Sequence, residues 1–112
     1  MVSANYVPDR GDLVFLDFDP QAGHEQRGIR PALVLSPASF NRTVGFALFC
    51  PVTSSVKSYP FEVRIPAGLK CTGVILSDQI KSLDWRARGV RYIDKLPQPE
   101  VNTVRQLIKT IL

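Results

Sequence analysis

The sequence predicts a mainly β fold with α structure at its end: a small, partly open barrel of the SH3-like kind with a C-terminal helix. Short apolar runs are separated by nine prolines and seven glycines, which is typical of a compact β domain. Residues 60–66 alternate between apolar and polar side chains, as a half-buried antiparallel strand does. Residues 101–111 change to apolar spacings of three and four, the period of an amphipathic helix.

Apolar runs of strand length give the order of the first expected strands: residues 12–19, 32–36, 45–53, 60–66 and 73–77. In the first run, Val14, Leu16 and Phe18 fall on one face, because side chains alternate along a strand. That face is expected to be thoroughly buried. Pro37 and Asn41 mark a turn between the second and third runs.

The connections between the runs are polar. Residues 20–31 contain Gly23 and Gly28 and have no apolar period, so they predict a long loop between the first two strands. Residues 82–85 are interpreted as a short turn, followed by an exposed, arginine-rich strand over residues 85–93. Five or six strands are expected in all.

The final helix should pack on the sheet through one apolar stripe: Val101, Val104, Ile108 and Ile111. Pro97 and Pro99 stand where a helix start tolerates proline. Glu100 suits the positive end of the helix dipole, and Lys109 suits the negative end.

Composition predicts one domain over residues 1–112. Hydrophobic residues make up 45% and charged residues 21%, which is ordinary globular usage and excludes a disordered chain. The net charge of +4 and the pI near 9.4 are explained equally by a polyanionic partner and by a solvated basic face. Five cations fall in one stretch, against Asp84 and Asp94: Lys81, Arg86, Arg88, Arg91 and Lys95.

Cys50 and Cys71 each lie in an apolar neighbourhood, which favours buried reduced thiols over a disulfide and matches no metal-ligand spacing. The N-terminus lacks a cationic segment followed by an apolar one, and no apolar stretch approaches the ~20 residues that span a bilayer. A cytoplasmic protein without a membrane partner is therefore expected.

Composition and periodicity name no reaction, but four sequence blocks do. They are GDLVFLDFDP at residues 11–20, GHEQRGIRPALVLSP at 23–37, CPVTS at 50–54 and GVILSDQIKSLDWRAR at 73–88. In this order and spacing they resemble the signature blocks of the MazF/PemK toxins. The resemblance covers essentially the whole chain and is closest to the MazF branch.

The resemblance implies the toxin of a toxin-antitoxin system. Its activity would be sequence-selective cleavage of single-stranded mRNA without a metal or cofactor, leaving 2′,3′-cyclic phosphate and 5′-hydroxyl ends. It also implies a homodimer and a cognate antitoxin that inhibits it. The antitoxin is expected to be an acidic, partly disordered peptide that occupies the basic groove and displaces the loop over residues 23–30.

Cleavage through the 2′-hydroxyl needs a proton acceptor, a stabiliser of the extra phosphate charge and an acid for the leaving oxygen. His24 is the single histidine, so a two-histidine pair within one subunit is excluded. The resemblance maps the family's catalytic arginine and threonine onto Arg30 and Thr53. Because arginine stays protonated, Arg30 is expected to act electrostatically. Glu25 is the candidate proton acceptor, with an exposed loop charge as the alternative.

Further residues of these blocks are candidate RNA contacts: His24, Gln26, Asp78, Gln79, Lys81, Arg86 and Arg88. Asp78 corresponds to an acidic catalytic residue of the PemK branch, but the arginine that accompanies it there falls on Leu76. This difference favours the MazF assignment and leaves structural bracing as an alternative role for Asp78 and Gln79. Arg86 and Arg88 could contact phosphates or be solvated. Trp85 is expected in the core rather than stacked on a base.

Two other functions fit the charge or the fold. The CcdB class of toxins, with the same fold, binds DNA gyrase through a tryptophan-containing C-terminal tip, whereas this chain ends in VRQLIKTIL without an aromatic residue. A non-catalytic RNA-binding barrel would leave the pairing of Arg30 with Thr53 unexplained.

Overall fold

The computed structural model describes residues 5–19 and 28–112. In this part of the chain the elements follow the order β1 (Asp12–Asp17), β2 (Ile29–Val34), α1 (Ala38–Val44), β3 (Phe46–Thr53), β4 (Glu62–Arg64), β5 (Val74–Leu76), β6 (Lys81–Asp84), β7 (Arg91–Lys95) and α2 (Gln98–Lys109). The structure is mainly β, as predicted.

All strand pairs are antiparallel, and the sheet follows the order β4-β5-β3-β2-β1-β7. The long strand β3 pairs with β6 through its first half and with β5 through its last residues. Strands β4 and β7 end the path, and no ladder of the described residues joins them. The sheet is therefore open, which confirms the predicted open architecture with a C-terminal helix.

The two faces of the sheet carry two separate cores. On β1, Leu13 packs in a cluster with α2, whereas Val14 and Leu16 pack in a second cluster on the other face. Strand β2 divides in the same way, because side chains alternate along both strands. Both faces of the central strands are therefore buried, rather than only the predicted face of β1.

Helix α2 closes the first cluster. Val101, Val104 and Ile108 are buried in it, as the period predicts, and Pro97 stands at the N-cap. Ile111 was predicted on the same stripe, but it lies beyond the end of the helix and is 49% exposed. The stripe therefore ends at Ile108.

Helix α1 was not predicted, and Pro37 and Asn41 are not a simple turn. Asn41 is fully buried, and its side-chain amide donates to the carbonyl oxygens of Pro8 and Ser36 at 2.7 and 2.9 Å. The N-cap Pro37 has no side-chain cap. Instead Asp9, distant in sequence, accepts a hydrogen bond from the first helical N–H, at Ala38, at 2.8 Å.

Strand β2 begins at Ile29, earlier than the predicted residue 32, and therefore includes Pro31. Pro31 lies opposite Phe15 of β1, and the pairing with β3 begins only at Ala32. A proline is tolerated here because its missing N–H is not needed by the second neighbour. The rest of the predicted loop, residues 20–27, lies outside the described residues.

The region predicted as a turn over residues 82–85 is strand β6, and the turn follows it at residues 85–89. Trp85 is 3% exposed and its indole N–H donates to the Asn41 carbonyl oxygen at 3.1 Å. This confirms its place in the core. Cys50 and Cys71 are buried free thiols, also as predicted.

Candidate active site

A cavity of about 440 Å³ opens beside the end of β3. Its described walls consist of Arg30, Thr53, Ser55, Lys57, Tyr59, Glu62, Leu76 and Gln79. A second cavity of about 450 Å³ lies beside β7, where Phe15, Arg91 and Tyr92 line it. The second cavity contains none of the predicted site residues, whereas Arg30, Thr53 and Gln79 line the first, which is therefore the candidate for the predicted chemistry.

The strand registers explain why Arg30 and Thr53 meet. Ala32 pairs with Pro51 where the ladder of β2 and β3 begins, and the same antiparallel register, extended two residues beyond that ladder, brings Arg30 to the level of Thr53. Side chains two residues apart on a strand share a face, so both side chains lie on the face of Ala32 and Pro51. Both are half-buried and line the cavity.

The turn after β3 fixes the hydroxyl of Thr53. The backbone N–H of Ser55 donates to Thr53 Oγ1 at 3.1 Å, so one acceptor position of the hydroxyl is occupied. The hydroxyl hydrogen can still be donated to an anion in the cavity. Gly73 packs directly against the backbone of Thr53, since a Cβ at Gly73 would lie 2.4 Å from the Thr53 carbonyl oxygen.

The turn between β5 and β6 forms another wall of the cavity. Gln79 lines it, and its side-chain Oε1 is buried with no hydrogen-bond partner among the described residues. Asp78 is exposed and accepts a hydrogen bond from the Tyr59 hydroxyl. Desolvation, together with this hydrogen bond to Asp78, raises the pKa of Tyr59, so the phenol stays protonated and remains the donor. This geometry supports bracing by Asp78.

Leu76, where the PemK-branch arginine would fall, is 4% exposed and forms part of the cavity wall. An apolar side chain at this place supplies neither charge nor a proton. The position at which this chain differs from the PemK branch therefore lies within the site itself.

Besides Asp78, three other described residues that are predicted RNA contacts do not line this cavity. Lys81 begins β6 opposite Phe49. The Arg86 guanidinium lies 4.5 Å from the centre of the Trp85 ring. Arg88 Nη1 donates to the Asp17 and Asp19 carbonyl oxygens at 3.0 and 2.7 Å. Arg88 therefore holds the end of β1 and is not simply solvated, and RNA contacts by the three residues remain predictions.

His24, Glu25 and Gln26 lie outside the described residues. Of the predicted site residues that are described, the structure brings together Arg30, Thr53 and Gln79, with Asp78 beside them. Sequence reasoning missed Ser55, Lys57, Tyr59 and Glu62. The polar run directly after CPVTS was the available signal for the first three of these residues, whereas Glu62 looked like an ordinary solvent-facing residue of an alternating strand.

Within residues 5–19 and 28–112, no group of three or more His, Cys, Asp or Glu side chains is arranged to hold a metal ion. No described helix is both long enough and apolar enough to span a membrane.

The sequence profile of the PemK-like, MazF-like toxins of type II toxin-antitoxin systems matches residues 9–112. The chain belongs to this family. The match includes the Arg30 and Thr53 walls of the cavity, and it confirms the family that the four sequence blocks resemble.

Individual members of the MazF/PemK family are similar over the whole length. The endoribonuclease toxin MazF of Escherichia coli (strain K12) is 46% identical over 112 residues, which is 100% of this chain and 99% of the relative. A crystal structure of MazF from Deinococcus radiodurans has a TM-score of 0.93 and 51% identity, covering 96% of this chain and 97% of the other. The MazE-MazF complex of the same organism contains a chain with a TM-score of 0.85 and 45% identity, covering 96% of each chain.

Proposed function

We propose that this chain is the toxin of a type II toxin-antitoxin system and cleaves single-stranded mRNA as a sequence-selective endoribonuclease. The observation that carries the proposal is the placement of Arg30 opposite Thr53 in one cavity, in a chain that belongs to the MazF/PemK family. Relatives of high identity are named endoribonucleases. The toxin domain extends over residues 1–112, a proposal supported by the match to residues 9–112.

The chemistry divides between the two cavity residues and the loop before β2. The Arg30 guanidinium stabilises the charge that develops on the phosphate when the 2′-hydroxyl attacks. Thr53 donates its hydroxyl hydrogen to the same phosphate. Glu25 accepts the proton of the 2′-hydroxyl or orients Arg30, and His24 and Gln26 contact the RNA. The 2′-oxygen bonds to phosphorus as the bond from phosphorus to the 5′-oxygen breaks, and the departing 5′-oxygen takes up a proton from water. The products carry 2′,3′-cyclic phosphate and 5′-hydroxyl ends.

Glu62 is the carboxylate among the described cavity walls, but it is not assigned the proton-accepting role. Its two oxygens accept hydrogen bonds from the backbone N–H groups of Lys57 and Ser58. A carboxylate committed to two donors is poorly placed to take a proton from a substrate. This leaves Glu25 as the proposed base.

The reaction is proposed to need no metal. Support comes from the family resemblance and from chemistry that a cation, a hydroxyl and a carboxylate can complete between them. The test is to incubate purified protein with a long single-stranded RNA, with EDTA and with magnesium, and to sequence the 5′-ends of the fragments. We expect the same extent of cleavage in EDTA and in magnesium, at a recurring base sequence. Activity that disappears in EDTA and returns with magnesium contradicts the proposal.

The proposed partner is a cognate antitoxin, an acidic and partly disordered peptide that occupies the basic groove and displaces residues 23–30. MazF chains from Deinococcus radiodurans have been crystallised with MazE, which supports a partner of this kind. We expect the bound peptide to abolish cleavage. A complex that still cleaves RNA at the free rate would contradict this mechanism. Because the substrate is mRNA, the proposed location is the cytoplasm.

The proposed assembly is a homodimer formed through an apolar face beside α2. Leu35, Leu48, Ile80, Ile108 and Leu112 contribute to a groove of about 400 Å³ there, and Arg105 and Lys109 border it. Leu48 is 38% exposed and Leu112 is 92% exposed. A second copy of the chain would remove this surface from water.

A gyrase-binding or non-catalytic function is not favoured. The chain belongs to the MazF/PemK family, relatives of high identity are named endoribonucleases, and a non-catalytic barrel would leave the pairing of Arg30 with Thr53 unexplained.

A further inference from the structure

The segment over residues 54–59, which follows Thr53, borders the active-site cavity through alternate residues. Ser55, Lys57 and Tyr59 all line the cavity with Arg30. The segment has no regular secondary structure and is largely exposed. Its shape must therefore be held by side-chain contacts rather than by a ladder of backbone hydrogen bonds.

Glu62 supplies the main contact. It lies on β4 opposite Leu76, half-buried. Its carboxylate accepts hydrogen bonds from the N–H groups of Lys57, at 3.0 Å, and Ser58, at 2.7 Å. One side chain thus fixes two successive peptide groups of the segment, in the way a carboxylate binds an open helix end.

The backbone at Ser58 shows that the segment is held and not relaxed. Its φ is +57°, and among the described residues it is the one non-glycine with a positive φ. Residues with a side chain rarely adopt this conformation and keep it only where the surroundings impose it. The hydrogen bonds from Ser58 N to Glu62 and from the Tyr59 hydroxyl to Asp78 lie on and directly beside it.

Lys57 is the group that this conformation presents. Its side chain lines the cavity, and its ammonium has no hydrogen-bond or ion-pair partner within residues 5–19 and 28–112. A cation held beside Arg30 suits a phosphate of the same strand, because consecutive phosphates must all be neutralised as single-stranded RNA crosses a basic surface.

We propose that Glu62 is a positioning residue of the active site, whose carboxylate holds residues 54–59 so that Lys57 binds an RNA phosphate next to the one that is cleaved. The inference rests on the proposed endoribonuclease function and adds to it a binding residue and the residue that places it. Glu62 itself does not touch the RNA.

The direction in which a substitution of Glu62 changes the affinity for RNA separates this role from a simple charge effect. Glu62 is an anion near a polyanionic ligand, so by charge alone its removal would strengthen RNA binding. If Glu62 positions Lys57, its removal must weaken RNA binding instead. Glu62→Gln is the sharpest variant, since it keeps the size and one acceptor oxygen while removing the charge.

The experiment measures binding of a mixed-sequence 2′-O-methyl oligoribonucleotide, which cannot be cleaved, at several salt concentrations. Lys57→Ala is expected to weaken binding about tenfold and to reduce the slope of log K against log salt by about 0.7, the value for one phosphate on a single strand. Glu62→Gln should weaken binding several-fold and reduce the same slope. Lys70→Ala, which removes an exposed lysine from the second cavity, beside β7, is the matched control and should change the affinity and the slope less than Lys57→Ala does.

The double variant Lys57→Ala with Glu62→Gln supplies the second readout. Binding no weaker than that of Lys57→Ala alone is expected, because the two residues act through one contact. In cleavage assays both single variants should raise KM more than they lower kcat. Binding by Glu62→Gln that equals or exceeds wild type, or fully additive losses in the double variant, would overturn the inference. Absence of cleavage by the wild-type protein would instead contradict the proposed function.

Discussion

Arg30 lies on β2 opposite Leu16 of β1 and lines the cavity beside the end of β3, so the paired strand fixes its backbone. We expect Arg30→Ala to lower the cleavage rate by about 100-fold or more, the usual cost of removing one transition-state donor. Arg30→Lys should restore only part of the rate, because an ammonium lacks the planar fork of the guanidinium. Single-turnover cleavage assays measure both.

A structural role for Arg30 would give a different pattern. If it only pinned the loop to the sheet, Arg30→Ala would lower the melting temperature and the activity together. An unchanged rate in a folded Arg30→Ala variant would mean that the active site lies elsewhere.

The Thr53 hydroxyl is a donor toward the cavity, because its oxygen already accepts from Ser55 N at 3.1 Å. Thr53→Val keeps the shape and removes both interactions, so we expect a rate loss of about 100-fold. Thr53→Ser retains the hydroxyl and should remain within about tenfold of wild type in the same assay, because its hydrogen bond to the phosphate can still form. A larger loss in Thr53→Ser than in Thr53→Val would assign the effect to packing of the methyl group rather than to the hydroxyl.

At the scale of the elements, the close approach of β5 to β3 depends on Gly73. Its φ is +118°, and an added Cβ would meet the Thr53 carbonyl oxygen at 2.4 Å. Gly73→Ala should therefore force β5 away from Thr53 and lower both unfolding free energy and activity, the former by more than the ~1–2 kcal/mol that a left-handed backbone alone costs. Gly68 has φ +97° with nothing within 4 Å, so Gly68→Ala is the control that carries the backbone cost without the collision. Urea unfolding of both variants decides whether the collision matters.

Helix α1 depends on Asp9, whose pKa lies below its ordinary 3.8, chiefly because the Ala38 N–H donates to it. Asp9→Ala should lower stability at pH 7 by about 0.5–1 kcal/mol, the low end for a cap because the carboxylate is exposed. A carboxylate whose pKa is lowered by folding stabilises the fold at pH values above its unfolded pKa. This stabilisation is lost as the pH falls through the pKa of the folded state. The difference in unfolding free energy between wild type and variant should therefore be constant from pH 7 to about 5 and should shrink below the unfolded pKa of 3.8. A gap that widened on acidification would contradict this cap.

Sequence patterns predicted the elements with a regular period and missed those that depend on distant contacts. The apolar spacing in residues 101–108 predicts α2, because one apolar stripe of the helix faces one core. Helix α1 has seven residues, too few for a clear period, and its stability comes from Asp9 and from the buried Asn41. The sequence predicts a turn at β6 because the outward residues of this strand are polar, and only its pairing with β3 makes it a strand.

The same limit applies to the site. Arg30 and Thr53 could be predicted from the resemblance, and their meeting follows from the strand register. The participation of Glu62 could not be predicted, because it depends on a backbone loop folding back onto β4.

At the scale of the whole molecule, the apolar groove beside α2 should be covered in a homodimer. Leu48→Lys places a charge on an exposed position of that groove and is expected to shift the mass in sedimentation from twice 12.5 kDa toward the single chain. The matched control is Tyr92→Lys, at an exposed aromatic position on β7, outside the groove beside α2. The control should remain dimeric. A wild-type protein that sediments as a monomer at micromolar concentration would contradict the dimer itself.

The position of Trp85 also makes the protein its own fluorescent reporter. It is the single tryptophan of the chain, it is 3% exposed, and its indole N–H is bonded to a buried carbonyl rather than to water. Its emission should shift to longer wavelength when the chain unfolds and the ring meets solvent. Since Trp85 does not line the active-site cavity, substitutions at Arg30, Thr53 or Glu62 should leave the native spectrum unchanged. The emission spectrum of Trp85 then distinguishes a misfolded variant from a folded but inactive one, without any RNA in solution.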